Sequence, residues 1–198
     1  PNKGAQIPGP EDFARSTPVS IYKVVGDPLV GANWIETELG HYSVPQNAEP
    51  VDLDGDGDLD IVVGTRGENR LLFFENPGDG TLRFREHSIG INVASAAGFN
   101  LEYADLNGDG TPEAVAANKG GQNPARDTEQ LDAISWFEVT GDPLDPASWV
   151  EHVITKVRIP INSRPVDLDQ DGDTDVLGGA RGERHIFFLD NTGGEKIE

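Results

Sequence analysis

Three segments of this chain carry oxygen-bearing side chains at one alternating spacing. They read Asp52-Leu-Asp54-Gly-Asp56-Gly-Asp58-Leu-Asp60, Asp105-Leu-Asn107-Gly-Asp109-Gly-Thr111-Pro-Glu113 and Asp167-Leu-Asp169-Gln-Asp171-Gly-Asp173-Thr-Asp175. Side chains at positions 1, 3 and 5 of such a loop converge on one point, and Gly at position 6 permits the sharp bend. Position 7 offers its carbonyl, and the carboxylate at position 9 closes the shell. This is the chemistry that holds a hard cation. An all-oxygen set in a flexible loop selects Ca²⁺ over Zn²⁺ or copper. In the second loop Asn107 lowers the ligand charge and Glu113 lengthens the closing arm. One acidic Gly-rich loop is an ordinary turn; three in phase point to about three Ca²⁺ sites.

The loops do not fit an EF-hand, which places a bidentate Glu at position 12 between two helices. Position 12 is occupied here by Val63, Ala116 and Gly178, none of which offers a side-chain ligand. Each loop runs instead into a stretch of strand length: Ile61-Val62-Val63-Gly64, Ala114-Val115-Ala116-Ala117 and Val176-Leu177-Gly178-Gly179. The elements that position the loops are therefore expected to be strands.

Composition narrows the function classes. The 198 residues carry 35 acidic and 15 basic side chains, a formal net charge of −20, so a nucleic-acid backbone would be repelled. Without cysteine there is neither a disulfide framework nor a thiolate metal site. No apolar run is long enough for a membrane helix. No signal peptide is visible and Pro1 stands in place of an initiator Met, so a processed, trimmed or partial chain is expected. Weak, acidic Ca²⁺ sites suit millimolar extracellular calcium, which points to a secreted or cell-surface location.

The loops begin at Asp52, Asp105 and Asp167, 53 and 62 residues apart. Such periods indicate a propeller or another repeat array. A longer offset of 115 residues pairs Gly26-Asp-Pro-Leu29 with Gly141-Asp-Pro-Leu144, Trp34 with Trp149, and Arg66-Gly-Glu68 with Arg181-Gly-Glu183. Each repeat reads as four short strands. Strand one precedes the loop (49–52, 101–105, 164–167) and strand two follows it. Strand three covers 70–75, 133–139 or 185–190, and strand four 82–89 or 149–155. Ahead of them, 20–25 and 34–39 match strands three and four. The expected fold is all-β: residues 1–19 form an N-terminal extension, and 20–198 form about three blades in groups of two, four, four and three strands. That is short of a closed ring of four to eight blades, so further blades would come from the parent chain or from other chains.

The Asp-x-Asp-x-Asp-Gly-x-x-Asp loops followed by strand two resemble the FG-GAP or VCBS repeat family of integrin-like β-propellers, over roughly residues 20–194. Only Gly98-Phe99 loosely matches the Phe-Gly half of the name. The resemblance implies a four-stranded blade per repeat and Ca²⁺ between strands one and two. It does not specify an activity, because one fold hosts many functions.

Strand connectivity sends loops one-to-two and three-to-four to one face, and loops four-to-one and two-to-three to the other. Three features gather on this second face. Asn47, Asn100 and Asn162 lie five residues before each cation loop. Arg66, Lys119 and Arg181 follow each strand two. The insertion 120–131 lies between strands two and three. The plainer reading makes each Asn a turn cap and pairs each basic residue with an acid such as Glu68 or Glu183. The functional reading is a rim of donors for sugar hydroxyls or carboxylates, with His41 beside Tyr42, and His185 near Arg181, as proton-transfer groups. His87 and His152 read as surface residues, and Trp34, Trp136 and Trp149 as packing residues. Three functions fit: a calcium-binding extracellular module recognising a glycan or protein, the propeller portion of a carbohydrate-active lyase or dehydratase, and an architectural segment of a large surface protein.

Overall fold

The computed structural model describes residues 10–68, 70–89, 100–117 and 131–193. Among the described residues, after a single helical turn, α1 (Pro10–Phe13), thirteen strands form four antiparallel sheets in chain order. The first holds β1 (Ser16–Val24) and β2 (Trp34–Ser43). The second holds β3 (Pro45–Val51), β4 (Asp60–Thr65), β5 (Arg70–Glu75) and β6 (Arg85–Ser88). The third holds β7 (Asn100–Ala104), β8 (Glu113–Ala117), β9 (Leu131–Val139) and β10 (Trp149–Arg158). The fourth holds β11 (Pro160–Val166), β12 (Asp175–Ala180) and β13 (His185–Leu189). The expected grouping of two, four, four and three strands is the one observed.

Burial follows from stacking the sheets face on face. β4 and β5 read Asp-Ile-Val-Val-Gly-Thr and Arg-Leu-Leu-Phe-Phe-Glu, with no polar alternation in their centres, because each is covered on both faces. Val62, Leu71 and Phe73 pack with Leu101, Phe137 and Trp149 of the third sheet. On the other side, Val63, Leu72 and Phe74 pack with Val19 and Tyr42 of the first. Between the third and fourth sheets, Leu106, Val115, Ala117 and Ile134 meet Val176 and Ala180. Each fully buried large apolar side chain contributes about 1.5–3 kcal/mol relative to exposure. The outer strand β10 is more open, with Val150, Glu151 and Val153 exposed.

Strand one of the second, third and fourth sheets is an edge strand, and β7 lies beside both β3 and β11. An edge tolerates proline, since one row of N–H groups has no partner strand. That explains Pro50 within β3 and Pro165 within β11, and why these strands extend back to Pro45 and Pro160, beyond the ranges expected from the sequence. β1 likewise begins at Ser16, so residues 16–19 of the expected extension belong to the first sheet. β6 is shorter than expected, because Leu82 takes a left-handed φ of 56° and ends the extended run. Among the described residues, no helix is long and apolar enough to cross a membrane.

Candidate metal centres and the faces around them

Each acidic loop joins an edge strand to the strand beside it, and its own side chains hold the turn. In the first loop Asp52 accepts from the N–H groups of Gly55 and Gly57 at 2.9 and 3.1 Å. Asp105 accepts from Gly108 and Gly110 at 2.7 and 2.9 Å, and Asp167 from Gln170 at 2.7 Å. Positions 3 and 5 repeat this two residues on: Asp54 takes the Asp56 N–H, and Asp56 that of Asp58. The glycine at position 6 is left-handed in all three loops, with φ of 94°, 90° and 102° at Gly57, Gly110 and Gly172. Position 4 is left-handed too, at Gly55, Gly108 and Gln170, so the bend needs two such residues and the third loop supplies one with a side chain.

The closing carboxylates Asp60, Glu113 and Asp175 are buried, beginning strand two in each sheet. Each reaches back to the N–H of position 2: Leu53 at 3.3 Å, Leu106 at 2.8 Å and Leu168 at 3.1 Å. Burial raises the pKa of Asp60 and Glu113, and the backbone N–H bonds work against that rise. One oxygen each from Asp52, Asp54 and Asp60 lies within 4.8 Å of the others, and the same holds for Asp167, Asp169 and Asp175. A further group joins Asp169 and Asp171 to Asp190, just past β13. These clusters of hard oxygens can hold a metal ion. In the second loop Asn107 and Thr111 replace carboxylates; Asn107 donates to Asp109 at 3.2 Å and Thr111 N–H donates to Asp109 at 2.7 Å, which lowers the Asp109 pKa. Asp58 and Asp173, at position 7, lie against the loop after strand three: a Cβ on Gly78 would meet the Asp58 carboxylate, and one on Gly193 would come within 2.9 Å of Asp173.

Two asparagines escaped the sequence reading. Asn76 and Asn191 sit just after strand three and donate their backbone N–H to the closing carboxylates Asp60 and Asp175, at 2.8 and 2.9 Å. Their side chains then bond loop carbonyls. Asn76 reaches Leu59, and the buried Asn191 reaches both Thr174 and, across to the third sheet, Leu106. The signal was available: Asn76-Pro-Gly78 and Asn191-Thr-Gly193 are separated by the same 115 residues as the other paired motifs. Loops one-to-two and three-to-four therefore share a face, as connectivity requires.

That face also carries a cleft of about 880 Å³ between the third and fourth sheets. It is lined by Asn107, Asp173, Asn191, Trp136, Glu138 and His152 among others. His152 stacks on the Trp136 ring at 4.2 Å and bonds Glu138 at 3.0 Å. In the second sheet, one repeat earlier, His87 bonds Glu75 at 2.7 Å and lies tilted beside Phe73, their ring centres 5.8 Å apart. The sequence places both histidines on outer strands as surface residues. The cross-strand register brings each to its acid and aromatic neighbour.

On the opposite face the chain passes between sheets through Val44 and Ile159, β-branched residues held at φ of 46° and 53°. Such a conformation is costly for a β-branched residue. It is gripped by the turn after strand two: Arg66 and Gly67 donate their N–H groups to Val44 and Ser43, and Arg181 and Gly182 donate theirs to Ile159 and Arg158, at 2.9–3.1 Å. Glu68 and Glu183 then accept from the N–H groups of Ser43 and Arg158. The Arg-Gly-Glu motif is thus a backbone clamp. Its glycine is needed because a Cβ at position 67 or 182 would collide with Ser43 or Arg158. The Arg66 side chain is buried, its guanidinium 5.6 Å from the centre of the Phe13 ring, and burial lowers its pKa. Glu68 bonds Arg70, at 2.7 Å.

The other candidate ligand residues are dispersed. Arg181 is exposed. Asn47, Asn100 and Asn162 occupy one repeated ladder position, opposite Gly64, Ala117 and Gly179. His41 is exposed on β2 and pairs with Glu38 at 3.1 Å, whereas its neighbour Tyr42 is buried and donates to Glu86 at 2.8 Å. His185 is exposed at the start of β13. Lys119, Gly98, Phe99, residues 120–130 of the insertion and the Asn100 side chain lie outside the described residues. Three residues before each loop, Glu49, Glu102 and Arg164 come together on the adjoining edge strands. Arg164 lies 3.5 Å from Glu102, and Glu49 has its pKa raised by burial first and then by Glu102.

No curated protein matches the chain. A family model does match part of it, from the first residue of the first loop through most of the strand after the second. Residues 52–116 match an FG-GAP-like repeat, the family that the loop-and-strand pattern resembles.

Proposed function

We propose that this chain is a calcium-binding β-propeller module of a secreted or cell-surface protein, with structural cation sites on one face. The observation that carries this is the carboxylate geometry of the first and third loops. Three acidic oxygens converge within 4.8 Å in each, one of them from a buried side chain. Like charges so placed repel one another, and a bound cation removes that cost. Ca²⁺ fits the oxygen-only donor set. Asp52, Asp54, Asp56 and Asp60 would hold it in the first loop, and Asp167, Asp169, Asp171 and Asp175 in the third. Asp105, Asn107, Asp109 and Glu113 form a weaker second site. Face-stacked antiparallel sheets with neighbouring edge strands support the propeller.

Recognition of a glycan or a protein is the role such a module would serve. The cleft beside the loops supports it, since an aromatic ring with convergent acid, amide and imidazole groups in a concavity is how proteins bind small ligands. The residues a lyase would need are spread over separate sheets: His41 on β2, His185 on β13 and Arg66 buried over Phe13. The experiment is thermal melting with Ca²⁺, Mg²⁺ and EDTA, together with calorimetric stoichiometry. Ca²⁺ should raise the melting temperature more than Mg²⁺, which needs a tighter octahedral shell. Asp171→Ala should remove one site of about three. A melting curve indifferent to EDTA rejects the proposal.

A further inference from the structure

The 115-residue offset pairs surfaces as well as motifs. In the third sheet Phe137, Val139, Leu144 and Trp149 present one apolar face to the second sheet, where Val51, Leu53, Leu71 and Phe73 receive it. Trp149 is left 7% exposed and Leu71 0%. One offset earlier, the donor positions are Tyr22, Val24, Leu29 and Trp34 of the first sheet. All four are exposed, Leu29 at 92% and Trp34 at 46%. One offset later, the receiving positions are Val166, Leu168, Ile186 and Phe188 of the fourth sheet. Here Leu168 is 51% and Ile186 78% exposed. The molecule therefore carries, on its two outer sheets, the two halves of an interface that it builds once inside itself.

The donor half is already shaped for docking. Trp34 Nε1 donates to the Pro28 carbonyl at 2.8 Å, as Trp149 Nε1 does to Pro143 at 2.9 Å. Leu29 N–H is held by Asp27, as Leu144 N–H is by Asp142, both at 2.9 Å. These local bonds set the ring and the turn alike in both hairpins, whether or not a neighbouring sheet is present. An exposed apolar patch of this kind marks an interaction surface.

Building on the propeller reading, we propose that the outer face of the fourth sheet binds the first-sheet face of a second copy of this chain, head to tail. Among the described residues both faces are exposed, and their match to the internal pair of faces points to a second copy as the occupant. Two copies bring eight sheet positions, twice the four of one chain, which falls within the range of closed propellers. A heterologous contact of this type closes into a ring or extends. The net charge of −20 on each copy opposes association, so salt and Ca²⁺ strengthen it.

Sedimentation equilibrium of the 198-residue chain, with Ca²⁺ and about 0.5 M salt to screen its charge, tests this. A mass of twice 21.3 kDa is expected. Trp34→Glu and Ile186→Glu should each be monomeric. Mixed together they should form a dimer, because each keeps the face that the other has lost. Wild-type protein that stays monomeric at about 100 μM, a variant that still dimerises alone, or a mixture that stays monomeric would each overturn the proposal. Trp149→Glu probes the internal copy of the interface and so the propeller reading itself. It should unfold the chain, and a wild-type melting curve would reject that reading. A monomeric wild type beside an unfolded Trp149→Glu rejects the docking alone.

Discussion

Asp60→Ala and Asp56→Ala separate two jobs that the first loop performs. Asp60 is fully buried, and its two oxygens accept the N–H groups of Asn76 at 2.8 Å and Leu53 at 3.3 Å. A hydrogen bond to a charged group contributes about 1.5–3 kcal/mol, so losing both costs about 3–6 kcal/mol. The longer bond, and the cost of burying a carboxylate, place the net effect at the lower end. For a chain of 198 residues each kcal/mol corresponds to about 2–4 °C, so the melting temperature should fall on the order of 10 °C. That loss should appear in EDTA as well as in Ca²⁺, because the bonds are internal. Asp56 is exposed and accepts one N–H, from Asp58 at 2.9 Å. In EDTA its removal should cost no more than about 0.5–1.5 kcal/mol. In Ca²⁺ it should cost more, since a site saturated at a hundred times its Kd contributes about 2.7 kcal/mol. Differential scanning calorimetry of both variants, with and without chelator, gives the four values. If Asp60→Ala melts like wild type in EDTA, the closing carboxylate is a cation ligand only, and its bonds to Asn76 and Leu53 contribute nothing to stability.

Gly67→Ala and Gly182→Ala should each destabilise by about 2–4 kcal/mol in urea titration, because the new methyl group strikes Ser43 or Arg158 backbone and breaks the clamp on Val44 or Ile159; near-neutral values would refute that. Tyr103 has a buried hydroxyl with no hydrogen-bond partner among the described residues, so Tyr103→Phe should be neutral or stabilising at pH 7, whereas Tyr42→Phe loses the bond to Glu86 and should cost about 1.5–3 kcal/mol. Burial, and then the neighbouring carboxylates Glu86 and Glu49, raise the pKa of both phenols. The folded chain therefore keeps protons that the unfolded chain releases near pH 10. The stability these phenols contribute is complete below about pH 10 and is lost as the pH rises beyond it. The double Phe variant should flatten that alkaline decline, and an unchanged slope would count against the assignment.

The sequence alone determined whatever depends on neighbours along the chain. The alternate oxygens of Asp52 to Asp60 specify a convergent donor set and the glycine at position 6 a sharp bend; Gly57, Gly110 and Gly172 are left-handed, and Asp52, Asp54 and Asp60 lie together. Short apolar runs bounded by turns specified thirteen strands in groups of two, four, four and three, with errors of a few residues at the ends. Those errors have a physical source: Pro50 and Pro165 weaken a strand signal, yet an edge strand accommodates them. Tertiary structure decided what depends on contacts across sheets. Asn76 and Asn191 reach the closing carboxylates 16 residues away, and Arg66 serves through its backbone N–H while its side chain lies over Phe13. The two Gly-Asp-Pro-Leu hairpins make the point most directly. Trp34 and Trp149 have the same local sequence and the same indole hydrogen bond, but one is 46% exposed and the other 7%. Local bonds fix the shape of the hairpin in both cases. Burial is set by the sheet lying opposite: the second sheet covers Trp149, whereas it covers the first sheet on the face that carries Val19 and Tyr42 and leaves Trp34 exposed.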